Sequence, residues 1–348
     1  VALIFLGTKI RKIFPKGNTL TEFIYHKFGK KLFKLILILI IFYMFIFLCA
    51  EVTAVSMLVN YISGTPLWLT ALLVIITSYL GYYLGLRYIG LIMIEEDSII
   101  RFINLAVGVF LTSSSSAIFN QYFEIDLDAK MSRTMSRPLP SKKIDKNIAL
   151  ISAILLAIFG LLHLYYFINT ITAFIAFLTI FSYVFIYTPS KTRSKWNTII
   201  GSFPGALPPV GGWTAATGEI QLPSLILFLI LFCWQIPHFL SLAIIYKDDY
   251  RKAGFKMLPS ISKDLDSTLF QIIFFTVALI VSSIGIYLLN LTSFVYMLGA
   301  VLLGIIFLLY SSNILFEQSN KEVRKLFIFS IIYLPLLMLL IILDTLLI

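Results

Sequence analysis

The sequence predicts an all-α protein, a polytopic bundle of transmembrane helices, and three observations carry that reading. Apolar residues make up 59% of the 348 and charged residues 13%, about half the charged share of a soluble domain. Mean hydropathy is +0.97, which leaves too little polar surface to clothe a water-soluble globule. Apolar runs of about 18 to 25 residues, long enough to cross a hydrocarbon core, recur along the whole chain. The same figures exclude a disordered chain, a collagen and a coiled coil.

Ten runs qualify as spans, near 32–50, 67–86, 99–119, 147–168, 170–187, 198–217, 222–246, 268–290, 293–316 and 325–347. From the third onward the loops between them alternate in charge. Lys130, Arg133, Arg137, Lys142, Lys143 and Lys146 fill the loop at 120–146, and Lys191, Arg193 and Lys195 the loop at 188–197. Lys247, Arg251, Lys252, Lys256 and Lys263 lie at 247–263, and Lys321, Arg324 and Lys325 at 317–325. The loops near 169, 219 and 291 carry neither Lys nor Arg. Positive-inside logic puts the four basic loops in the cytoplasm of a multi-pass cell-membrane protein. The net charge of +10 belongs to these loops and implies a lipid bilayer as partner, not a nucleic acid. Cys49 and Cys233 both sit in apolar runs without metal-type spacing.

The front of the chain breaks the alternation. Residues 1–34 hold eight Lys or Arg, which predicts a cytoplasmic start. Three spans later the chain should lie outside, yet the loop after the third span is the most basic of all. This parity conflict divides the chain into a two-span segment at 1–98 and a second domain at 99–348, and a chimeric or misassembled front is the expectation.

The acidic residues of the second domain gather in two clusters. The first is Asn120-Gln-Tyr-Phe-Glu124-Ile-Asp126-Leu-Asp128, followed by Arg133 and Arg137-Pro-Leu-Pro140. If the third span continues as a helix, Asn120, Glu124 and Asp128 share one face. Stacked oxygens at a membrane boundary repel unless a cation joins them. Mg²⁺ suits them, since it bridges one or two carboxylates to substrate phosphates, and Arg133 and Arg137 would take phosphate oxygens. The plainer reading is a set of loop charges paired with Lys130 and Arg133. The second cluster follows Trp234-Gln-Ile-Pro-His238 and contains Asp248 and Asp249. His238 stands inside an apolar span beside Pro237, and intramembrane ionisable groups are functional candidates by default; a satisfied core histidine is the alternative, and the better reading for His163. Lys191 and Arg193 lie between the clusters, ahead of a span crowded with Gly201, Gly205, Gly211, Gly212, Pro204, Pro208 and Pro209. Such a span implies close helix packing or a surface for a flat ligand. Two metal-binding acidic clusters with cations between them, below a greasy cavity, describe a pocket for an isoprenoid diphosphate.

From about residue 104 to 348 the chain resembles the haem branch of the UbiA-type intramembrane prenyltransferases, the protohaem IX farnesyltransferase family. The resemblance rests on Asn120-Gln-Tyr-Phe-Glu-Ile-Asp-Leu-Asp-Ala-Lys-Met-Ser-Arg-Thr with Arg137-Pro-Leu-Pro, on Tyr187-Thr-Pro with Lys191, Asn197, Gly201, Gly205-Ala-Leu-Pro-Pro and Gly212-Trp213, and on Trp234-Gln-Ile-Pro-His-Phe with Tyr246, Asp249-Tyr and Ala253-Gly-Phe-Lys-Met-Leu-Pro259. It implies transfer of a farnesyl group from farnesyl diphosphate to a vinyl group of haem B, with addition of water, to give haem O for haem-copper terminal oxidases. It places Mg²⁺ on Asn120, Glu124 and Asp128 and around Asp248 and Asp249. Lys191, Arg133, Arg137 and Asp249 join them as catalytic candidates, and Arg193, Asn197, Trp213, His238, Tyr246 and Lys252 as substrate-binding ones. For His238, ligation of the haem iron and orientation of a propionate or a water stay open. Haem A synthase or the assembly of a terminal oxidase is the implied protein partner. The family has nine spans, of which eight are found from residue 99 on. Residues 1–90 resemble instead a piece of a sodium/solute symporter, through Gly7-Thr-Lys-Ile-Arg, Pro15-Lys-Gly-Asn-Thr-Leu-Thr-Glu-Phe and Ser63-Gly-Thr-Pro. The rival functions are a related prenyltransferase acting on a quinone or lipid precursor and a sodium-coupled transporter; the latter would show paired broken helices in an inverted repeat, which is not seen after residue 100.

Overall fold

A computed structural model of the chain describes residues 96–131 and 134–347; the spans expected at 32–50 and 67–86 and the symporter-like front lie outside the described residues. Among the described residues the fold is helical throughout, with no strand. The elements are α1 (Glu96–Phe123), α2 (Ile125–Asp128), α3 (Lys146–Phe167), α4 (Thr170–Phe181), α5 (Thr188–Arg193), α6 (Asn197–Gly205), α7 (Pro208–Thr217), α8 (Leu222–Ile245), α9 (Lys247–Ala253), α10 (Leu258–Ile261), α11 (Asp266–Leu288), α12 (Phe294–Phe316) and α13 (Asn320–Leu347). A π-helical turn, Ser182–Tyr187, joins α4 to α5 without interrupting the rod.

Seven helices among the described residues are long and apolar enough to cross a membrane, counting Thr170–Arg193 as one. The span expected at 198–217 is the exception. It is delivered as α6 and α7, of nine and ten residues, because Pro204, Pro208 and Pro209 remove backbone donors at its middle. It still runs from one end of the bundle to the other. Asn197 at its start donates from Nδ2 to Lys256 O in the α9–α10 loop (2.8 Å), while Thr214 O near its finish accepts from Asn169 Nδ2 in the α3–α4 loop (2.8 Å). Pro237, by contrast, does not break α8, which is continuous from Leu222 to Ile245.

Short polar caps fix the turns. Asp145 accepts from Asn147 N and Ile148 N at the start of α3, and Asn169 from Thr172 N at the start of α4, each satisfying amides a helix leaves open at its first turn. The larger core joins α8, α11, α12 and α13 around Tyr296, Phe307, Tyr333 and Leu240, with Trp213 of α7 at its edge. A smaller cluster, Leu105, Leu164, Ala173, Ala215 and Ala216, ties α1 to α3, α4 and α7. Outward faces stay greasy, as lipid contact requires: Phe159, Phe270, Val281 and Phe316 are exposed.

Candidate active site

α1 ends at Phe123, and Glu124 caps α2 with φ −105° and ψ 9°. The i,i+4 bonds nevertheless carry through the kink, with Glu124 N donating to Asn120 O (3.0 Å) and Asp128 N to Glu124 O (2.8 Å). Asn120, Glu124 and Asp128 therefore keep the common face expected of them, and all three are buried. The prolines at 138 and 140 fall ten residues and more after the helix has ended, so they shape the following turns and do not stop it.

The cations come from two other segments. Lys191 of α5 reaches Glu124 Oε1 at 2.8 Å and donates to Asn120 Oδ1 at 2.8 Å, while Asn120 Nδ2 donates to Glu124 Oε2 at 2.9 Å. Arg137 donates from a terminal guanidinium nitrogen to Asp128 Oδ2 at 2.7 Å, and Thr134 Oγ1 donates to Asp128 O at 3.0 Å. Arg133 lies outside the described residues. Among the described residues the pairing of Glu124 is not local: its partner Lys191 lies 67 residues away along the chain.

The π turn shapes the wall around Lys191. It brings Tyr183 and Tyr187 into ring contact at 5.3 Å, and Lys191 Nζ rides 4.7 Å above the Tyr187 ring, a cation–π contact. Thr188 Oγ1 donates to Tyr183 O (2.9 Å), bonding within the turn, and also contacts Asn120 Oδ1 (3.3 Å). A Cβ on Gly201 of α6 would come within 2.4 Å of the Tyr187 ring, so that glycine is what lets α6 approach. Tyr183 and Thr188 were not singled out as site residues from the sequence, although the 183/187/191 spacing is a helical face in plain view.

The second acidic cluster is brought alongside. Leu127 within the first cluster and Met131 just after it pack with Ala243, Tyr250, Ala253, Phe255 and Met257, and Lys256 N donates to Lys191 O at 2.7 Å. Gly254, with φ +90°, makes the reversal that tucks Phe255 and Met257 underneath. Asp248 faces outward, with Arg251 at 3.6 Å and both side chains mostly exposed. Asp249 is half-buried, and Arg193, Lys252 and Tyr246 lie on the exposed rim.

Two expected substrate contacts go elsewhere. Asn197 is fully buried, its Nδ2 shared between Ser194 O and Lys256 O, so it clips two loops together. Trp213 is fully buried near the opposite end of the bundle, with Nε1 donating to Gln221 Oε1 at 3.2 Å; its indole serves the core. His163, half-buried, bonds Asn104 O through Nε2 (3.1 Å) and meets the Phe167 ring at a tilt, as a satisfied structural histidine does.

Two turns below the acids, Thr112 and Ser116 continue the Asn120 face of α1 into a half-open cleft, lined further by Leu164, Ile175, Thr179 and Gly211. Among the described residues no three Asp, Glu, His or Cys side chains converge on a single point. The donor set of the first cluster is nonetheless oxygen throughout, an amide and two carboxylates, which suits a hard cation whose remaining ligands are phosphate oxygens.

Buried carboxylates and cations at one end of a membrane-spanning bundle, with an apolar cleft further along the same helix, define a membrane-embedded enzyme that handles a greasy anionic substrate. The chain belongs to the UbiA prenyltransferase family, whose model matches residues 87–334. It is 39% identical over 274 residues to the protoheme IX farnesyltransferase of Solibacter usitatus, covering 78% of this chain and 94% of that protein. The fold matches a solved digeranylgeranylglyceryl phosphate synthase with TM-score 0.67 at 21% identity, over 80% of this chain and 95% of that one. It also matches a UbiA homologue of Archaeoglobus fulgidus bound to DMAPP and Mg²⁺, with TM-score 0.54 at 16% identity, over 78% and 97%. The family match begins at residue 87, ahead of the boundary read at 98–99.

Proposed function

We propose that this prenyltransferase moves a farnesyl group from farnesyl diphosphate to a vinyl group of haem B and so makes haem O. The observation that carries the diphosphate half is the buried array Asn120–Glu124–Lys191 beside Asp128–Arg137. The haem half rests on the identity to the Solibacter protein and on the Trp234-Gln-Ile-Pro-His238 block.

Lys191 and Arg137 are held by carboxylates that a diphosphate can replace. On binding, their donors turn to phosphate oxygens, and they stabilise the negative charge that grows on the leaving diphosphate as the farnesyl C1–O bond breaks. Asn120, Glu124 and Asp128, with Asp248 and Asp249, would hold Mg²⁺, which would supply Lewis-acid stabilisation of the departing diphosphate. The cleft beneath excludes water from the prenyl chain; burying fifteen carbons at ~0.8 kcal/mol each gives roughly 10 kcal/mol as an upper bound, enough to position the chain with few polar contacts. The vinyl carbon of the acceptor attacks C1, a C–C bond forms, and water adds to the cation left on the vinyl group with release of a proton.

The basic, acidic end of the bundle faces the cytoplasm in this reading, and the product passes to a haem-oxidising enzyme or to terminal-oxidase assembly. Division of the chain near residue 98 belongs to the same proposal, and amplification of that junction from genomic DNA checks it. Incubation of the purified chain with haem B, farnesyl diphosphate and Mg²⁺ should yield haem O by mass spectrometry. Transfer to a quinone precursor with none to haem B would overturn the acceptor; no transfer to either would overturn the enzyme reading.

A further inference from the structure

His238 sits in a cage that the diphosphate chemistry does not use. Its ring stacks on Trp234, 4.9 Å away at 17°, and on Phe327 of α13, 5.0 Å away at 25°. Contact with two nearly parallel aromatic rings fixes the plane of the imidazole. Its Nδ1 lies 2.8 Å from Ser330 Oγ, and Ser330 is itself fully buried. The Ser330 hydroxyl donates to Phe327 O at 2.6 Å, so its oxygen is left to accept, and Nδ1 must carry the proton it accepts. Trp234 Nε1 donates to Ser330 O at 2.8 Å, tying the wall of the cage to the same residue.

The tautomer is thereby set. Nδ1 bears hydrogen and Nε2 presents a lone pair. Among the described residues Nε2 has no hydrogen-bond partner, and it is not one of the fully enclosed atoms left without one, so it is accessible. An imidazolium there would meet only aromatic rings and a hydroxyl, a costly place for a charge inside a membrane; the neutral ring is the stable form. A neutral, plane-fixed imidazole that donates one nitrogen to an oxygen and offers the other is how proteins prepare a histidine to bind a metal.

Resting on the acceptor read above, we propose that His238 Nε2 is the axial ligand of the iron of the bound haem substrate, and that Ser330 is a positioning residue that holds its tautomer. His238 lies five residues before Ala243, the α8 residue packed against Met131 beyond the acidic segment, a descent of about 7.5 Å at 1.5 Å per residue. Iron held at that depth leaves the rim of the porphyrin, where the vinyl groups are, to reach up toward the diphosphate.

The test is binding of hemin and of metal-free protoporphyrin IX to the full chain in lipid nanodiscs, read by tryptophan quenching and by the Soret band. Wild type should prefer hemin to the metal-free ring by about tenfold or more, the scale of a metal–ligand contribution, and show the spectrum of a histidine-ligated haem. His238→Ala should lose that preference and that spectrum, with metal-free porphyrin bound as before, and free imidazole should restore the ligated spectrum. His238→Gln serves the same purpose should the smaller side chain unfold the cage. Ser330→Ala should weaken hemin binding and shift the Soret band, and Ser330→Thr, which keeps the hydroxyl, should recover both. A wild-type Soret band in both His238 variants, or equal affinity of wild type for the two porphyrins, would falsify the ligation. If neither porphyrin binds wild type while farnesyl transfer to another acceptor proceeds, it is the haem reading itself that fails.

Discussion

Two buried acids at opposite ends of the bundle are satisfied in opposite ways. Asp344 of α13, buried near the loop between α11 and α12, accepts from the backbone amides of Ser293 (2.6 Å) and Tyr296 (3.2 Å) and from the Ser293 hydroxyl. Backbone donors cannot leave, so this carboxylate is committed to capping α12, whose first-turn amides need an acceptor. Glu124, equally buried, is satisfied by Lys191 Nζ and Asn120 Nδ2. Both are side-chain donors that can turn to a phosphate or yield to a metal. Burial alone therefore does not mark a catalytic acid. What marks it is whether its partners can be exchanged.

The largest expected effect breaks that exchange. Lys191→Met leaves Glu124 buried with an uncompensated charge, a loss of about 3–5 kcal/mol in stability, and removes a stabiliser of the leaving diphosphate, a loss of roughly 10²–10³ in kcat. Adding Glu124→Gln should return most of the stability and none of the activity. Thermal unfolding and single-turnover transfer measured on the same samples separate the two; recovery of activity in the double variant would show that the pair only holds α1 to α5.

Asp344→Ala is the mirror experiment. It strands one buried and one half-buried amide and should cost about 1–3 kcal/mol, seen as a lower Tm in detergent, while kcat per folded molecule is kept. A fall in kcat at unchanged Tm would erase the distinction between the two acids. Comparable in size is Gly201→Ala, whose methyl must push the Tyr187 ring from a 2.4 Å approach. Overpacking of this kind costs about 1–3 kcal/mol, and because Tyr187 lies under Lys191 the loss should appear in KM for farnesyl diphosphate as well as in Tm.

The contrast between the acids also shows what the sequence could reveal. Hydropathy marked every described crossing, and the charge of the loops placed the acidic end correctly relative to the basic residues, because both follow from the cost of polar groups in lipid. The 120/124/128 stripe was legible as a helical face. What was not legible are the pairings over long separations: Lys191 on Glu124, Ser330 on His238 and Ser293 on Asp344 each join residues 50 to 100 positions apart, and no local pattern encodes them. Asp344 passed unremarked inside the last apolar run. The π turn at 182–187 left no recognisable signature either, and Asn197 and Trp213, which stand in the motifs that carry the resemblance, turned out to hold loops and core together.

The smallest effect on stability is expected at Asp248, which sharpens the comparison from its exposed limit. Its side chain is 68% exposed and its ion pair with Arg251, at 3.6 Å, is equally open to solvent. An exposed pair of that kind contributes about 0–1 kcal/mol, so Asp248→Asn should leave Tm unchanged within error. As part of the second acidic cluster, Asp248 should therefore show itself only in the dependence of transfer on Mg²⁺: the variant should need several-fold more of the ion for half-maximal rate, and approach the wild-type rate at saturation. Mg²⁺ titration of the two proteins side by side decides it. Superimposable curves would confine the metal to the first cluster, with Asn120, Glu124 and Asp128 as its only protein ligands, and would leave α9 the task of carrying Tyr250 and Ala253 onto Met131.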